Sequence, residues 1–396
     1  MNSNSQDTLR RVTQDDPSLT ILIISNNYGG ADGKFYSDNS DDYSTLGAAI
    51  ANNTHLAKLE VTFTTRLQLG VANRGFYDGL KSNSSISDVQ LSCNYITIVG
   101  GVAQEILKVY QERNSQLTAL RIIEADLQNG GDRVIVNTLR CSRNLQTVVL
   151  NNCNITDAQL LPIVNAVRGH NMLEVLSLLG NRIGNPGCNA IASLLDDPNS
   201  NIHKIGLGSN SISNEGATII ANSLTNNKQL QELFLYDNPI DQGIQDVFST
   251  LICNTTSIDH TYSCNHSLGC LSLDPHERGQ HLQSLLELNR DANKNHVAMK
   301  KIFQCYPNID MEPLFAWGVG KEDEGTLKAL PYVVDWFEKA KVAVEEEEDA
   351  EQECDRIEDR MLSAIFQFAK AMPLLFEGVV NIRVDADKKR KRLDGR

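Results

Sequence analysis

The sequence predicts an α/β solenoid: a curved horseshoe with parallel strands on its concave face, helices on its convex face and an α-helical C-terminal cap. Three observations predict it. One apolar template recurs nine times, its spacing settles to a near-constant value, and a glycine column followed by apolar pairs holds the same register.

The template reads apolar, two others, apolar, one other, apolar, two others, Asn, one other, apolar. Its clearest copy starts at Leu173 ("LEVLSLLGNRI"). It returns at Leu145, Ile202, Leu230 and, degraded, at Ile258 ("IDHTYSCNHSL"). Upstream copies start at Leu117, Ile86, Leu56 and Leu19. From Leu117 through Leu145, Leu173, Ile202 and Leu230 to Ile258 the starts are almost evenly spaced. The steps from Leu19 to Leu56, Ile86 and Leu117 are longer, so the early units carry insertions.

Fourteen residues after each start, six of the nine units place a glycine: Gly33, Gly70, Gly100, Gly131, Gly187 and Gly216. With 26 glycines in 396 residues, chance supplies fewer than one. Four residues past that column come Ile135, Ile163, Ile191, Ile220 and Phe248, and four later Leu139, Val167, Leu195, Leu224 and Ile252. Apolar residues four apart read as a helix, so each unit is a short strand, a turn and a helix.

The "LxxLxLxxNxI" cores and their period of about 28 resemble the leucine-rich repeat in its ribonuclease-inhibitor-like class, over residues 19 to 270. The geometry then follows from sizes. Neighbouring strands sit roughly 4.8 Å apart, whereas helices with side chains are about 10 Å wide. Such an array bends with its strands inside. Asn181, Asn210 and Asn238 occupy the turn that leaves the strand, where an inward carboxamide can serve backbone groups that no ladder reaches. Cys153, Thr64, Ala125 and His266 take this slot elsewhere.

Residues 1–18 read as a polar N-terminal segment. At the other end the template fades at Thr261 and Ser263, and an open solenoid end needs a cap. Residues 271–380 suit that role, with helical stripes at Leu282, Leu285 and Leu286, at Val333, Phe337 and Val344, and at Ile357, Met361, Ile365, Phe368 and Met372. Trp317 and Trp336 lie there. The acidic run Glu345–Asp355 reads as a solvated linker or helix face. Residues 381–396 form a basic tail, in which Lys388–Arg392 ("KKRKR") is either a nuclear-import signal or a plain basic end.

Composition narrows the function. Net charge is −14, which disfavours general nucleic-acid binding and favours a basic or mixed-charge protein partner. Nine scattered cysteines, an odd number, read as a reducing compartment. No apolar run marks the N-terminus as a secretory signal, and none is long enough for a membrane helix. The chain is thus expected to be intracellular and cytoplasmic, with nuclear entry if the basic tail is a signal, and without a membrane partner. Sequons such as those at Asn52 and Asn154 are then chance matches.

Chemistry is sparse. Cys253, His260, Cys264, His266 and Cys270 form a late cluster, but His260 and Cys264 on one strand would be about 13 Å apart, and His266 would point into the solenoid. No zinc site is expected. "GVGKEDEG" at Gly318 lacks the glycine spacing and the Ser or Thr after Lys321 that a phosphate loop requires. No dinucleotide, hydrolase or metalloprotease signature occurs. No enzyme activity, cofactor or metal is expected.

Binding is expected on the concave face, where residues flanking the buried pair point outward. The middle column reads Ile23, Glu60, Gln90, Arg121, Val149, Ser177, Gly206, Phe234 and Tyr262. The late units gather the candidate partner-binding set Lys204, Glu232, Phe234, Tyr236, Asp237, His260 and Tyr262, with Gly206 and Gly208 leaving room for a partner side chain. Aromatics ringed by polar groups make interface hot spots. In a rival arrangement, the C-terminal helices fold over these aromatics. The leading expectation is a protein-interaction scaffold. The alternative is a regulator of a small GTPase, because Ran GTPase-activating protein has a similar repeat array followed by an acidic stretch. A ribonuclease-inhibitor role fits less well, since nine cysteines are few for that protein.

Overall fold

The computed structural model describes residues 1–26, 31–64, 67–112, 116–274 and 279–305. The described residues divide between two compact units, Met1–Asn254 with Cys264–Ala292, and Thr255–Ser263 with a stretch that begins at Asn293.

The first unit is a single parallel sheet backed by helices. Its strands are β1 (Ile21–Ile24), β2 (Lys34–Phe35), β3 (Lys58–Thr62), β4 (Asp88–Ser92), β5 (Ala119–Ile123), β6 (Thr147–Asn151), β7 (Val175–Ser177), β8 (Lys204–Gly206), β9 (Glu232–Phe234) and β10 (Cys270–Ser272). From β3 onward they pair in chain order, and β2 lies outside β1. The helices are α1 (Ser3–Thr13), α2 (Ser40–Asn52), α3 (Arg74–Ser82), α4 (Val102–Glu112), α5 (Gly131–Cys141), α6 (Asp157–Val167), α7 (Asn185–Leu195), α8 (Asn214–Ser223), α9 (Ile244–Ile252) and α11 (Gln280–Leu288). The second unit contains α10 (Ile258–Ser263) and α12 (Lys294–Cys305). The repeating strand, turn and helix is the solenoid that the template implies.

The template's apolar positions are the core. Leu145, Val148, Leu150 and Ile155 are fully buried, as are Leu176, Leu178, Ile183 and Ile191 in the next unit. Residues 1–18 are more than a polar segment. Helix α1, capped by Asn2, buries Ser5, Thr8 and Val12. Thr8 donates to Lys34 O at 2.8 Å, and Asn53 Nδ2 reaches Val12 O at 3.1 Å. The N-terminal end of the array is thereby closed.

The turn asparagines join neighbouring units. Asn181 Nδ2 donates to Leu150 O of the preceding unit and to Leu178 O of its own, both at 2.8 Å. Its Oδ1 accepts from Cys153 and Ile155 N–H, both at 3.0 Å. Asn210 and Asn238 repeat the pattern toward Leu178 and Leu207. Cys153 keeps part of it, with its thiol donating to Ile122 O and Asn151 O. His266 does not take this slot.

A second asparagine ladder lies three residues before the strand template. Asn83 donates to Ile50 O at 2.9 Å and Asn53 O at 2.7 Å, while its Oδ1 accepts from Ser85 and Ile86 N–H. Asn227, Asn265 and Asn289 also donate to carbonyls of the preceding unit. In the middle of the array this slot holds Ser142 and His170. Ser142 Oγ and both His170 ring nitrogens are buried without a hydrogen bond.

A third set of bonds explains two members of the glycine column, Gly187 and Gly216. Asp157 Oδ1 accepts from Gly184 and Gly187 N–H of the next unit at 2.8 and 3.0 Å. A Cβ on Gly187 would lie 2.4 Å from that oxygen, so only glycine admits the reach-across.

The last unit is out of the expected register. Cys270, Leu271 and Ser272 pair with Glu232, Leu233 and Phe234, which puts the template start at Leu268, not Ile258. The preceding unit, which begins at Leu230, is longer than its neighbours because α10 interrupts it. Strand β10 and helix α11 carry the array past residue 270. The remaining expected cap helices, the acidic run, the phosphate-loop-like stretch and Lys388–Arg392 lie outside the described residues.

Asn181→Ala is expected to lower unfolding free energy by roughly 2–4 kcal/mol, because two buried N–H groups lose their acceptor; urea unfolding measures it. His170 tests the second ladder. Burial, then the Arg143 charge, holds its pKa below the ordinary value. A base with a lowered folded pKa leaves stability intact above the unfolded value of about 6.5 and removes it as pH falls through the folded one. His170→Asn is expected to raise the melting temperature and flatten its decline between about pH 7 and about pH 5.5.

Candidate functional site: the concave sheet face

The outward columns follow from strand pairing. Ile23, Glu60, Gln90, Arg121, Val149, Ser177, Gly206 and Phe234 align across successive strands, and Ser272 ends the row. Ser272 therefore stands where Tyr262 was expected. Cys270 takes the place of His260.

His260 and Tyr262 lie on α10, in the second compact unit. Their strand assignment fails because the segment from Thr255 leaves the repeat, and Asn265 restores it. His260 Nδ1 is hydrogen-bonded with Ser257 Oγ at 2.8 Å and with Thr256 Oγ1 at 3.0 Å. Tyr262 is 42% exposed. Cys264 also leaves the strand, and its sulfur accepts from Asn254 N–H at 3.0 Å.

The structure does bring Lys204, Glu232 and Phe234 together. Lys204 Nζ lies 2.7 Å from Glu232 Oε2, with both side chains 41% exposed. The same ammonium sits 4.9 Å from the centre of the Phe234 ring, an arrangement the ring quadrupole favours. In the same unit as Phe234, Asp237 is exposed at the rim, and its N–H donates to Asp274 Oδ1 of the next unit at 3.0 Å.

Gly206 and Gly208 do not leave vacant pockets. A Cβ on Gly208 would lie 2.7 Å from Tyr236 Cζ, and one on Gly206 would meet Ser177 Oγ at 3.0 Å and Leu179 Cδ2 at 3.2 Å. The glycines let larger neighbours lie flat across the sheet. Tyr236 is accordingly half-buried.

Charges on this face pair with each other. Lys58 pairs with Glu60, Arg121 with Asp88 and Lys204 with Glu232. Between the last two pairs lies an uncharged stretch that includes Ile123, Val149, Val175 and Leu179, all half-buried. The sequence columns contain these residues, but aromatic content alone does not single them out.

Other chemistry is quiet. Burial pushes the Cys93, Cys153 and Cys188 thiols up to about 12, so they stay protonated. Among the described residues no group of three His, Cys, Asp or Glu side chains is placed to hold a metal ion. Among them, too, no helix is long and apolar enough to cross a membrane.

The repeat geometry and register define a leucine-rich repeat protein of the ribonuclease-inhibitor-like class. Its relatives agree. Over 140 residues the chain is 29% identical to NACHT, LRR and PYD domains-containing protein 14 of Mus musculus, covering 35% of this chain and 14% of that protein. Over 101 residues it is 31% identical to the Mus musculus ribonuclease inhibitor, covering 25% and 22%. The chain thus spans a small part of the curated relatives it matches. Among solved structures, an internalin from Listeria monocytogenes aligns over 72% of this chain and 93% of its own, at 15% identity and a TM-score of 0.35. No protein-family model matches.

A double-mutant cycle on Lys204 and Glu232 is expected to give a coupling of about 0.2–1 kcal/mol, as for other half-exposed pairs. The coupling should shrink in high salt.

Proposed function

We propose that the chain is a non-enzymatic scaffold that binds another protein through the concave face of its repeat array. One observation carries this reading. A parallel sheet is ordinarily covered on both faces, yet the outward columns of β3 to β9 remain half-buried or exposed along most of their length. The contact is centred on Lys204, Glu232, Phe234 and Tyr236, with Leu179 beside them and Asp237 at the rim. His260 and Tyr262 remain candidates only as residues of a separate helix.

Three features support the partner being a protein. The face mixes apolar, aromatic and mutually paired charged side chains, as interface cores do. Its charges cancel locally, which does not suit a phosphate backbone. The relatives include the ribonuclease inhibitor, whose name states a protein target. Buried, protonated thiols suit a reducing compartment. No observation favours the small-GTPase alternative over the scaffold.

The test is affinity capture with the intact chain and with Phe234→Ala combined with Tyr236→Ala. Both rings lie on the outer face, so the double variant should keep cooperative unfolding and lose its specifically captured protein, with binding weakened about tenfold or more. Undiminished capture of the same protein by the double variant would falsify this placement.

A further inference from the structure

We propose a second docking surface on the rim where strands β3 and β4 run out toward their helices, built for a protein segment that presents apolar side chains beside lysine or arginine. It is separate from the concave-face reading and does not depend on it.

The observations begin with exposure. Val71 is 50% exposed, Tyr95 60%, Ile96 42% and Val99 36%. Tyr95, Ile96 and Val99 share the loop between β4 and α4, and Val71 lies on the corresponding loop of the preceding unit. Three large apolar side chains exposed within one short loop, with a fourth on the loop one unit back, mark an interaction surface.

The backbone sets how Tyr95 is presented. Asn94 and Tyr95 have φ of +46° and +61°. A left-handed conformation is disfavoured for a bulky aromatic residue. It is nevertheless held from both sides. Asn94 Nδ2 donates to Phe63 O at 2.6 Å, and Tyr95 N–H donates to Glu124 O of the next unit. Ile96 N–H returns to Cys93 O at 2.9 Å, and Asp126 N–H donates to Ile96 O at 3.2 Å. The left-handed turn itself belongs to the repeat, for it recurs at Glu124, Asn152, Asn154, Ser209 and Asp237 in later units, but Tyr95 is the one aromatic residue in such a turn among the described residues.

Charge complementarity selects the occupant. Glu124 and Asp126 are the next unit's residues bonded to this loop, and neither forms an ion pair among the described residues. By contrast, the concave-face charges are matched. The Asp126 carboxylate accepts from Gln128 N–H at 3.0 Å, but neither it nor Glu124 has a cation partner among the described residues, so the surface suits a cation flanked by apolar groups, and the chain's net charge of −14 adds to that attraction.

The probes are a fluorescein-labelled peptide alternating Leu and Arg, a counterpart with Glu for each Arg, and a counterpart with Ser for each Leu. Fluorescence polarisation with the intact chain should rank the Leu/Arg peptide first. Tyr95→Gly should weaken its binding about tenfold or more while leaving the melting temperature unchanged or raised, because glycine accepts this φ. Tyr95→Phe should retain binding, and Glu124→Lys should weaken it. Several results would overturn the proposal: no binding of the Leu/Arg peptide, equal binding of the Glu counterpart, or binding indifferent to Tyr95→Gly. A concentration-dependent dimer of the chain abolished by Tyr95→Gly would replace it with self-association.

Discussion

Everything in this array depends on side-chain amides that satisfy the backbone of a neighbouring unit. One strand, turn and helix cannot bury its own turn groups, and stacking a second unit on it buries them without a ladder partner. Each such group left unmet costs about 1–3 kcal/mol. Asn181 meets four at once, donating to two carbonyls and accepting from two N–H groups. The same carboxamide therefore fixes the turn and the interface between units, which is why stability in such proteins is a nearest-neighbour quantity.

The ladders divide the chain between them. At the N-terminal end the strand-exit slot is thinner: Thr64 Oγ1 is buried without a partner, Ala125 has no polar group to offer, and Asn94 between them donates to Phe63 O. There Asn53 and Asn83 of the strand-entry ladder hold the units together. In the centre the entry slot falls to Ser142 and His170, and Cys153, Asn181 and Asn210 take over at the exit. Asp157 and Asn185 add a third set of bonds over the same stretch. Toward the C-terminal end, Asn227 and Asn238 act together before Asn265 and Asn289 close the series. The tolerance of non-asparagine residues in one slot is explained by what the other supplies at the same junction.

Much of this was legible. Period and template located strands β3 to β9, and the column from Ile23 to Phe234 matches the pairing residue for residue. The final unit was misplaced although its signal was present. "NHSLGCLSL" from Asn265 copies "NKQLQELFL" from Asn227, including the asparagine three residues ahead of the template. The template omitted that asparagine, so it accepted a fixed spacing where an inserted helix had lengthened the unit. The fixed spacing places His260 and Tyr262 on a strand, whereas they lie on the inserted helix. The glycines at 206 and 208 failed for a different reason. A small residue in one column is legible in sequence, but whether a neighbour's ring lies across it depends on side-chain direction between units, which no column records.

The two outer surfaces are built on opposite terms. On the concave face, charges pair with each other, Tyr236 lies across Gly208, and the Lys204 ammonium rests near Phe234. A partner arriving there must compete with contacts already made, so its gain comes from covering apolar area and excluding water rather than from supplying charge. At the rim, the apolar side chains are exposed, the adjoining carboxylates lack cation partners among the described residues, and the repeat's left-handed turn carries an aromatic residue at Tyr95. A partner arriving there completes what the fold leaves incomplete. The difference follows from local structure. Strand residues face neighbours one ladder spacing away and find partners among them, whereas the loop after β4 buries Cys93 and Ile98 and leaves Tyr95, Ile96 and Val99 to solvent.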